Sequence, residues 1–449
     1  MLALMPTETR AGARIAPRLG LVAALLLVAA AIVLPDLLDW DTAARRDDED
    51  DFPPLHGYWM AKVAWASLVA LVIAGLGWRY AESLASRLSW RGLLLTAYAV
   101  GLAWLLALAY VDGSDGVSRV LGNPYEYLET ARDTDDLGRM LDTFVDRIPY
   151  AADDNWVTHV AGHPPGALLF FVGLVRVGLG GDLQAGLVVT AIAASVAPAV
   201  LVTLRALDRE ELARRAAHFL VLTPAAVFMA VSADAMFAAV AAWGLAALAV
   251  AATASSRRRA VLWSVVAGLV LGYCTLLSYG LPLLGLLAVA VLVSARSWLP
   301  LLVAGGSALA VVLGFAVAGF VWWEAYPVLV DRYWDGVASD RPYSYWVWAN
   351  LAALLLSAGP LIGAGVAHLA ATARRADRTV VLLVAAAAVA VLAADLSGMS
   401  KSEVERIWLP FVPWLTISLA LLPDGWRRWG LGVQLAAALL VQHLLYTSW

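Results

Sequence analysis

PPGALLFFVGLVRVGLGG, residues 164–181, is the stretch on which the reading of the whole chain turns. It is apolar enough to cross a membrane. Yet it opens on Pro164–Pro165, is interrupted by glycines and carries Arg176. Taken as a span, it inverts every later loop and carries the following arginine clusters to the other side of the membrane. Taken as an interfacial or re-entrant helix, it leaves those clusters together on one side, as the positive-inside rule requires. The second reading is the expectation.

Outward from this segment the chain is a succession of apolar runs. Of its 449 residues 62% are hydrophobic and only 15% charged, against about a quarter charged in soluble domains. The runs lie at about 17–35, 60–80, 91–111, 184–204, 216–231, 235–254, 260–277, 281–295, 299–323, 345–371, 379–396, 407–422 and 430–446. Most have roughly the 17–25 residues needed to cross a hydrocarbon core of about 30 Å. The expected fold is therefore an all-α polytopic membrane protein of about 13 transmembrane helices, with a long outer loop carrying interfacial helices.

Charge fixes the expected orientation. With the N-terminus cytoplasmic, the inner segments hold Arg10, Arg14 and Arg18, then Arg79, Arg87 and Arg91, then Arg205, Arg209, Arg214 and Arg215. They also hold Arg257 to Arg259, Arg296, Arg374, Arg375, Arg378, Arg427 and Arg428. The opposite loops, 36–59, 112–163, 324–344 and 395–405, are acidic. The basic residues before Leu19 resemble a signal peptide, but no small-residue cleavage site follows, so the first run reads as a retained anchor. A composition rich in Ala, Arg and Trp with two lysines points to a bacterial plasma membrane. Nothing in it resembles a nucleic-acid surface, and the one cysteine, Cys274, excludes an intrachain disulfide.

Candidate chemistry clusters in the outer segments. The loop 112–163 begins with Asp112 and Asp115, continues through Glu126, Tyr127 and Glu129, and closes with Thr158–His159 and Gly162–His163–Pro164–Pro165. Carboxylates at a membrane mouth serve as a general base or hold a hard divalent cation. Histidines beside them hold a phosphate or share a proton. Ser232–Ala–Asp234 places an acid between two apolar helices, where a charge is costly unless it has a use. In Ser400–Lys401–Ser–Glu403–Val–Glu405–Arg406, the cations Lys401 and Arg406 stand at the outer edge against the charge trend and suit an anionic headgroup. Glu403 and Glu405 are placed to neutralise them. Arg341 and Tyr343 lie in an aromatic segment suited to a phosphate, a sugar or a polyprenyl chain. The plainer readings are solvated loop charges, a turn, and an aromatic belt at the interface.

The order of these motifs resembles the GT-C glycosyltransferases, in particular the branch of protein O-mannosyltransferases and aminoarabinose transferases. The motifs are Glu126–Tyr127–Leu–Glu129–Thr–Ala131–Arg132, Gly162–His163–Pro164–Pro165, the basic turn 205–215, and Thr223–Pro224 leading to Ser232–Ala–Asp234. The resemblance covers about residues 91–255. It implies a GT-C-like module there, a two-helix addition at 1–90, and C-terminal transmembrane helices at 256–449. It further implies a polyprenyl-phosphate-linked sugar donor used outside the cytoplasm and a glycan, lipid or protein acceptor. A carboxylate would deprotonate the acceptor hydroxyl, with inversion at the anomeric carbon, and Lys401, Arg406 and Arg341 would stabilise the departing phosphate. The branch often works without a tightly bound metal, so no cofactor is firmly implied and a divalent cation stays open. Where the family often has Asp-Glu before the matching tyrosine, this chain has Asn123–Pro124. The base is thus open among Glu126, Asp112 and Asp115, with Glu126 slightly favoured. Two other classes compete: a transporter or lipid-linked-sugar flippase, and a non-catalytic relative of the enzymes.

Overall fold

Residues 7–44 and 52–447 are described by the computed structural model, with side chains from Arg14 onward. Residues 45–51 of the acidic loop 36–59, and the Arg10 side chain, lie outside the described residues. The longer helices, in chain order, are α1 (Thr7–Leu38), α2 (Trp65–Arg87), α3 (Trp90–Ala109), α4 (Asp182–Ala206), α5 (Glu210–Val221), α6 (Ala233–Ala252) and α7 (Arg257–Cys274). They continue with α8 (Leu299–Val317), α9 (Trp322–Trp334), α10 (Tyr343–Ala358), α11 (Leu361–Thr372), α12 (Arg378–Leu396) and α13 (Asp424–Leu444). Among the described residues the one β element is a two-stranded antiparallel ribbon, Gly57–Trp59 with Leu445–Thr447.

Among the described residues seven helices (α1, α2, α3, α4, α6, α8 and α12) are long and apolar enough to cross a membrane, or eight if the bent pair α10–α11 counts as one span. The protein is a polytopic membrane protein, but the expected 13 spans are not there. The reason is that apolar runs fold into broken helices as readily as straight ones. The run 216–231 breaks after α5 at Thr223–Pro224 and resumes as the single turn Ala226–Met229. The run 281–295 yields a twelve-residue helix behind a 3-10 turn, and 407–422 yields ten apolar residues, Val412–Leu421. α7 carries three arginines in its first turn, and α13 carries Arg427, Arg428, Gln434 and Gln442. The run 345–371 bends by 105° at Gly359–Pro360. The pivotal segment 164–181 forms the twelve-residue helix Pro165–Arg176. At 1.5 Å per residue it is about 18 Å long, short of a bilayer core.

Breaks of this kind survive in an apolar setting only when other groups satisfy the freed backbone. At the α10–α11 bend, Gln434 of α13 does so: its Nε2 donates to Ala358 O (2.7 Å) and its Oε1 accepts from Leu361 N (3.3 Å). Small residues bring the long helices together, as expected where lipid supplies no hydrophobic drive between them. α1 crosses α11 at Gly20 and Gly363, and a Cβ on Gly20 would lie 2.1 Å from Gly363 O. α6 is the centre of the fold, 83% of its apolar window buried, whereas α8 is a rim helix with 11% buried.

The two ends of the helices differ in character. At one end the basic turns meet: Arg214 donates to Ala85 O and Leu88 O, Arg205 lies over Trp90, Arg209 pairs with Asp377 at 2.6 Å, and Arg427 pairs with Glu82. At the other end the segments around 156–163, 332–341 and 399–407 converge on one cavity. The partition drawn from charge alone is therefore a spatial one.

The α7–α8 contact gives a matched test. A Cβ on Gly268 would stand 2.2 Å from Ala304 O, whereas one on Gly305 would meet nothing within 4 Å. Gly268→Ala should destabilise by about 1–3 kcal/mol, the cost of overpacking, and Gly305→Ala should not. The sole cysteine, fully buried Cys274, is the reporter: thermal unfolding in detergent followed by a thiol-reactive dye should shift down only for Gly268→Ala.

Candidate functional site

The Gly162–His163–Pro164–Pro165 motif sets the first wall of the cavity. A residue before proline is driven into extended backbone, and His163 has φ −129° and ψ 151°. Pro165 then starts a helix at its first position, where a missing N–H costs nothing. The His163 ring is thereby turned so that Nδ1 donates to Leu277 O at 2.9 Å, since a carbonyl can only accept. Burial pushes the His163 pKa down, against the pull of Asp234 and the Leu277 bond. His159, one turn earlier, stands with Nδ1 2.9 Å from Glu126 Oε1. Glu126 caps the short helix Tyr127–Arg132, whose Tyr127 stacks on Phe171 with centroids 5.0 Å apart. Glu126 is buried, and its Oε2 has no hydrogen-bond partner among the described residues.

The second wall is the start of α6. Ser232 accepts from Ala235 N and caps the helix, which places Asp234 in the first turn where the helix dipole favours a carboxylate. Its Oδ2 accepts from Arg406 Nη1 at 2.6 Å, and both groups are buried. The other Arg406 amino group donates to Glu403 Oε2 (2.6 Å) and lies 2.9 Å from His159 Nε2. An arginine has no acceptor, so His159 Nε2 is unprotonated and its proton sits on Nδ1, facing Glu126. One chain of contacts thus runs from Glu126 through His159 and Arg406 to Asp234. Burial opposes the Arg406 charge, but Asp234, Glu403 and Glu126 outweigh it and hold its pKa above the usual arginine value. Burial likewise opposes ionised Glu403, and Arg406, His56, Arg341 and His159 together hold it well below the carboxylate range.

The third wall is the loop 399–407. Ser402 and Glu403 both take left-handed backbone, φ 70° and 61°. For residues with a Cβ this costs of order 1 kcal/mol each. Asn350 of α10 holds the strained loop by donating to Asp395 Oδ1 (2.9 Å) and Ser400 O (2.7 Å) and accepting from Ser402 N (3.2 Å). Lys401 is turned inward. Its Nζ donates to Ala338 O (2.9 Å) and Arg341 O (2.8 Å) and lies 4.4 Å from the centroid of the Trp334 ring. Arg341 donates to Ala43 O and Lys401 O, and it lies 3.8 Å from Glu403. Arg332 of α9 donates to Ile148 O and Trp156 O and packs on Tyr150.

These walls enclose about 240 Å³, lined by His159, His163, Arg332, Arg341, Lys401, Glu403 and Arg406 among others. Four cations line the cavity and one carboxylate does. Among the described residues, the side chains of Arg332 and Lys401 donate to backbone carbonyls, with aromatic rings alongside, and neither makes an ion pair with an acid. The cavity has the electrostatics of an anion site.

Of the residues singled out by sequence, His159, His163, Arg341, Lys401 and Arg406 line the cavity; Glu126 and Asp234 stand behind the wall in contact with His159 and Arg406, and Glu405 is fully buried in the same short helix as Arg406. Three stand apart. Asp112 ends the span of α3 in a bond to Lys62 Nζ (2.9 Å) and one to Gln442 Nε2 (2.8 Å). Asp115 is exposed in the turn that follows. Tyr343 is also exposed, its hydroxyl donating to Leu396 O (3.3 Å). Sequence reasoning missed Arg332. Its one signal was a basic residue inside the aromatic helix WWEAYPVLVDRYW. Glu403 pairs with Arg406, as its place in the sequence suggests, and is also the carboxylate on the cavity wall. Among the described residues no group of three or more His, Cys, Asp or Glu side chains is arranged to hold a metal ion.

No family model matches the chain, and neither a curated protein nor a solved structure does.

Two outcomes follow from this geometry. Removing one partner of a buried ion pair leaves an uncompensated charge, worth about 3–5 kcal/mol. Arg406→Met should cost that much, and Asp234→Asn in the same chain should recover part of it, giving a non-zero coupling energy in a double-mutant cycle of unfolding midpoints. Lys401 has its pKa lowered by burial and by Arg341. The unfolded chain therefore binds more protons between that lowered pKa and the usual 10.5. Over that alkaline window the wild type should gain stability relative to Lys401→Met as pH rises, read as a rise in its melting temperature relative to that of the variant.

Proposed function

We propose that this chain is a membrane glycosyltransferase that moves a sugar from a polyprenyl-phosphate donor to an acceptor hydroxyl on the extracytoplasmic face of a bacterial plasma membrane. The observation that carries this reading is the cation-lined cavity at the end of the spanning helices opposite the basic turns. By the positive-inside rule the basic end faces the cytoplasm. The cavity then opens outside, at the level of lipid headgroups. A phosphate there finds Arg332, Arg341, Lys401 and Arg406, and planar guanidinium groups suit its oxygens.

In the proposed reaction the acceptor oxygen attacks the anomeric carbon, the carbon–oxygen bond to the phosphate breaks, and polyprenyl phosphate leaves with the electron pair. The hydroxyl proton passes to Glu126. Its Oε1 faces the His159 N–H, and its Oε2 is the acceptor left unpaired. Asp112 and Asp115 stand apart from the cavity and take no part. A single displacement inverts the anomeric centre, with the cations stabilising the leaving phosphate. The chain-wise order of Glu126, the His-Pro-Pro turn and Asp234, which resembles the GT-C enzymes, supports the same reading.

The test is sugar transfer by the purified full chain from a panel of radiolabelled polyprenyl-phosphate sugars to membrane extract. Glu126→Gln should lower the rate by about 10²–10⁴-fold, the range of general-base contributions. Asp112→Asn and Asp115→Asn should stay within a few-fold of wild type. Lys401→Met should weaken donor binding. Polyprenyl-phosphate binding without transfer from any donor would overturn the enzyme reading in favour of a flippase or a non-catalytic relative.

A further inference from the structure

A second cavity lies between α2, α3 and α5, at the opposite end of the molecule from the cation-lined one. It measures about 490 Å³, inside the range of about 300–1,000 Å³ typical of ligand sites. Its walls are mostly apolar, and several wall residues face outward: Leu76, Tyr80 and Leu84 are exposed, so the groove is open along α2. Two contacts set its axial order. Arg214 of α5 donates to Ala85 O and Leu88 O, which makes this level the lower end. Leu222 sits against Gly77, close enough that a Cβ there would lie 2.4 Å from Leu222 Cδ1, which makes this level the upper part. From Arg87 to Ile73 the groove follows fourteen residues of α2, about 21 Å at 1.5 Å per residue. One leaflet of a core about 30 Å thick is shorter than that.

Polar groups are found towards the lower end. Arg87 lines the cavity there and makes no ion pair among the described residues; Arg91, four residues on in the first turn of α3, makes none either. One turn above Arg214 is His218, which also lines the cavity. It is 3% exposed, and its Nδ1 has no hydrogen-bond partner among the described residues. A buried polar atom without a partner costs about 1–3 kcal/mol, so its place on the wall of a groove asks for a ligand that supplies the partner. An apolar trough with a polar atom part-way down and unpaired guanidinium groups at its mouth has the layout of a phospholipid: chain, ester linkage, phosphate.

We propose that this groove is a site for one anionic phospholipid. Its acyl chain lies along α2 between Ala81 and Ile73. An ester carbonyl meets His218, and its phosphate meets Arg87 and Arg91. The site is independent of the sugar-transfer reading and stands or falls without it.

The test is native mass spectrometry of the full-length protein in detergent, titrated with phosphatidylglycerol or with phosphatidylcholine of the same acyl chains. Wild type should retain one phosphatidylglycerol and prefer it to phosphatidylcholine. Arg87→Gln should reduce that preference about fivefold, the equivalent of about 1 kcal/mol per basic residue near an anionic headgroup. Ala81→Trp from α2 and Thr96→Phe from α3 each fill the groove and should remove the bound lipid. The Cys274 dye assay reports whether each variant is folded. Equal retention of the two lipids by wild type overturns the proposal. So does undiminished phosphatidylglycerol binding in both folded groove-filling variants, or displacement of phosphatidylglycerol from the groove by polyprenyl phosphate.

Discussion

The buried pairing of Arg406 with Asp234 is the contact on which the cavity depends. It joins the loop after α12 to the first turn of α6, 172 residues earlier in the chain. The same guanidinium reaches Glu403 and His159, and His159 reaches Glu126, so four chain segments are registered by one side chain. A buried ion pair is a poor source of stability by itself, since desolvation takes back most of the attraction. Its effect here is one of position. In a chain with few charges, Arg406 has few alternative carboxylates, and the loops close in one arrangement. The left-handed backbone at Ser402 and Glu403 is the strain that this arrangement imposes on the loop, and Asn350 ties the loop down beside it.

The partition of charge between the two ends also explains why cations line the cavity. At the basic end several arginines meet acids of the neighbouring turns, as Arg209 meets Asp377 and Arg427 meets Glu82. At the other end Arg332 and Lys401 are held by backbone carbonyls and aromatic faces. Carbonyl oxygens fix a cation in place without neutralising it. The burial that lowers the Lys401 pKa is the same burial that leaves its field unscreened.

Much of the site was legible in the sequence because a charge in an apolar chain is conspicuous and expensive. Asp234, Lys401 and Arg406 could be picked out on that ground alone, and His163 by its proline neighbours. Asp112 misled for the same reason. It is a charge at a membrane boundary, but its partners are Lys62 and Gln442, 50 and 330 residues away, and no spacing rule reveals them. Arg332 was hidden among aromatics that read as an interfacial belt. The number of spans was illegible because hydropathy records how apolar a run is and not whether it stays straight. The bend at Gly359–Pro360 is supported by Gln434, which the local sequence does not announce. The half-length helix α5 ends at Val221, just before Thr223–Pro224, yet its apolar run continues past it.

The small β ribbon bears on how the molecule is made. Gly57 pairs with Thr447 and Trp59 with Leu445. Next to the ribbon, Met60 and Lys62 donate through their backbone N–H groups to Leu444 O and His443 O. Residues 57–62 thus leave the ribosome early, but their partners follow α12, the last of the spanning helices named above, in the chain. Until then the strand 57–59 has an unpaired edge, and Lys62 can reach Asp112 but not the chain beside Gln442. Until residues 443–447 have been made, the segment before α2 lacks the partners of its final backbone hydrogen bonds. The ribbon therefore closes only after the helices between its two strands have been made.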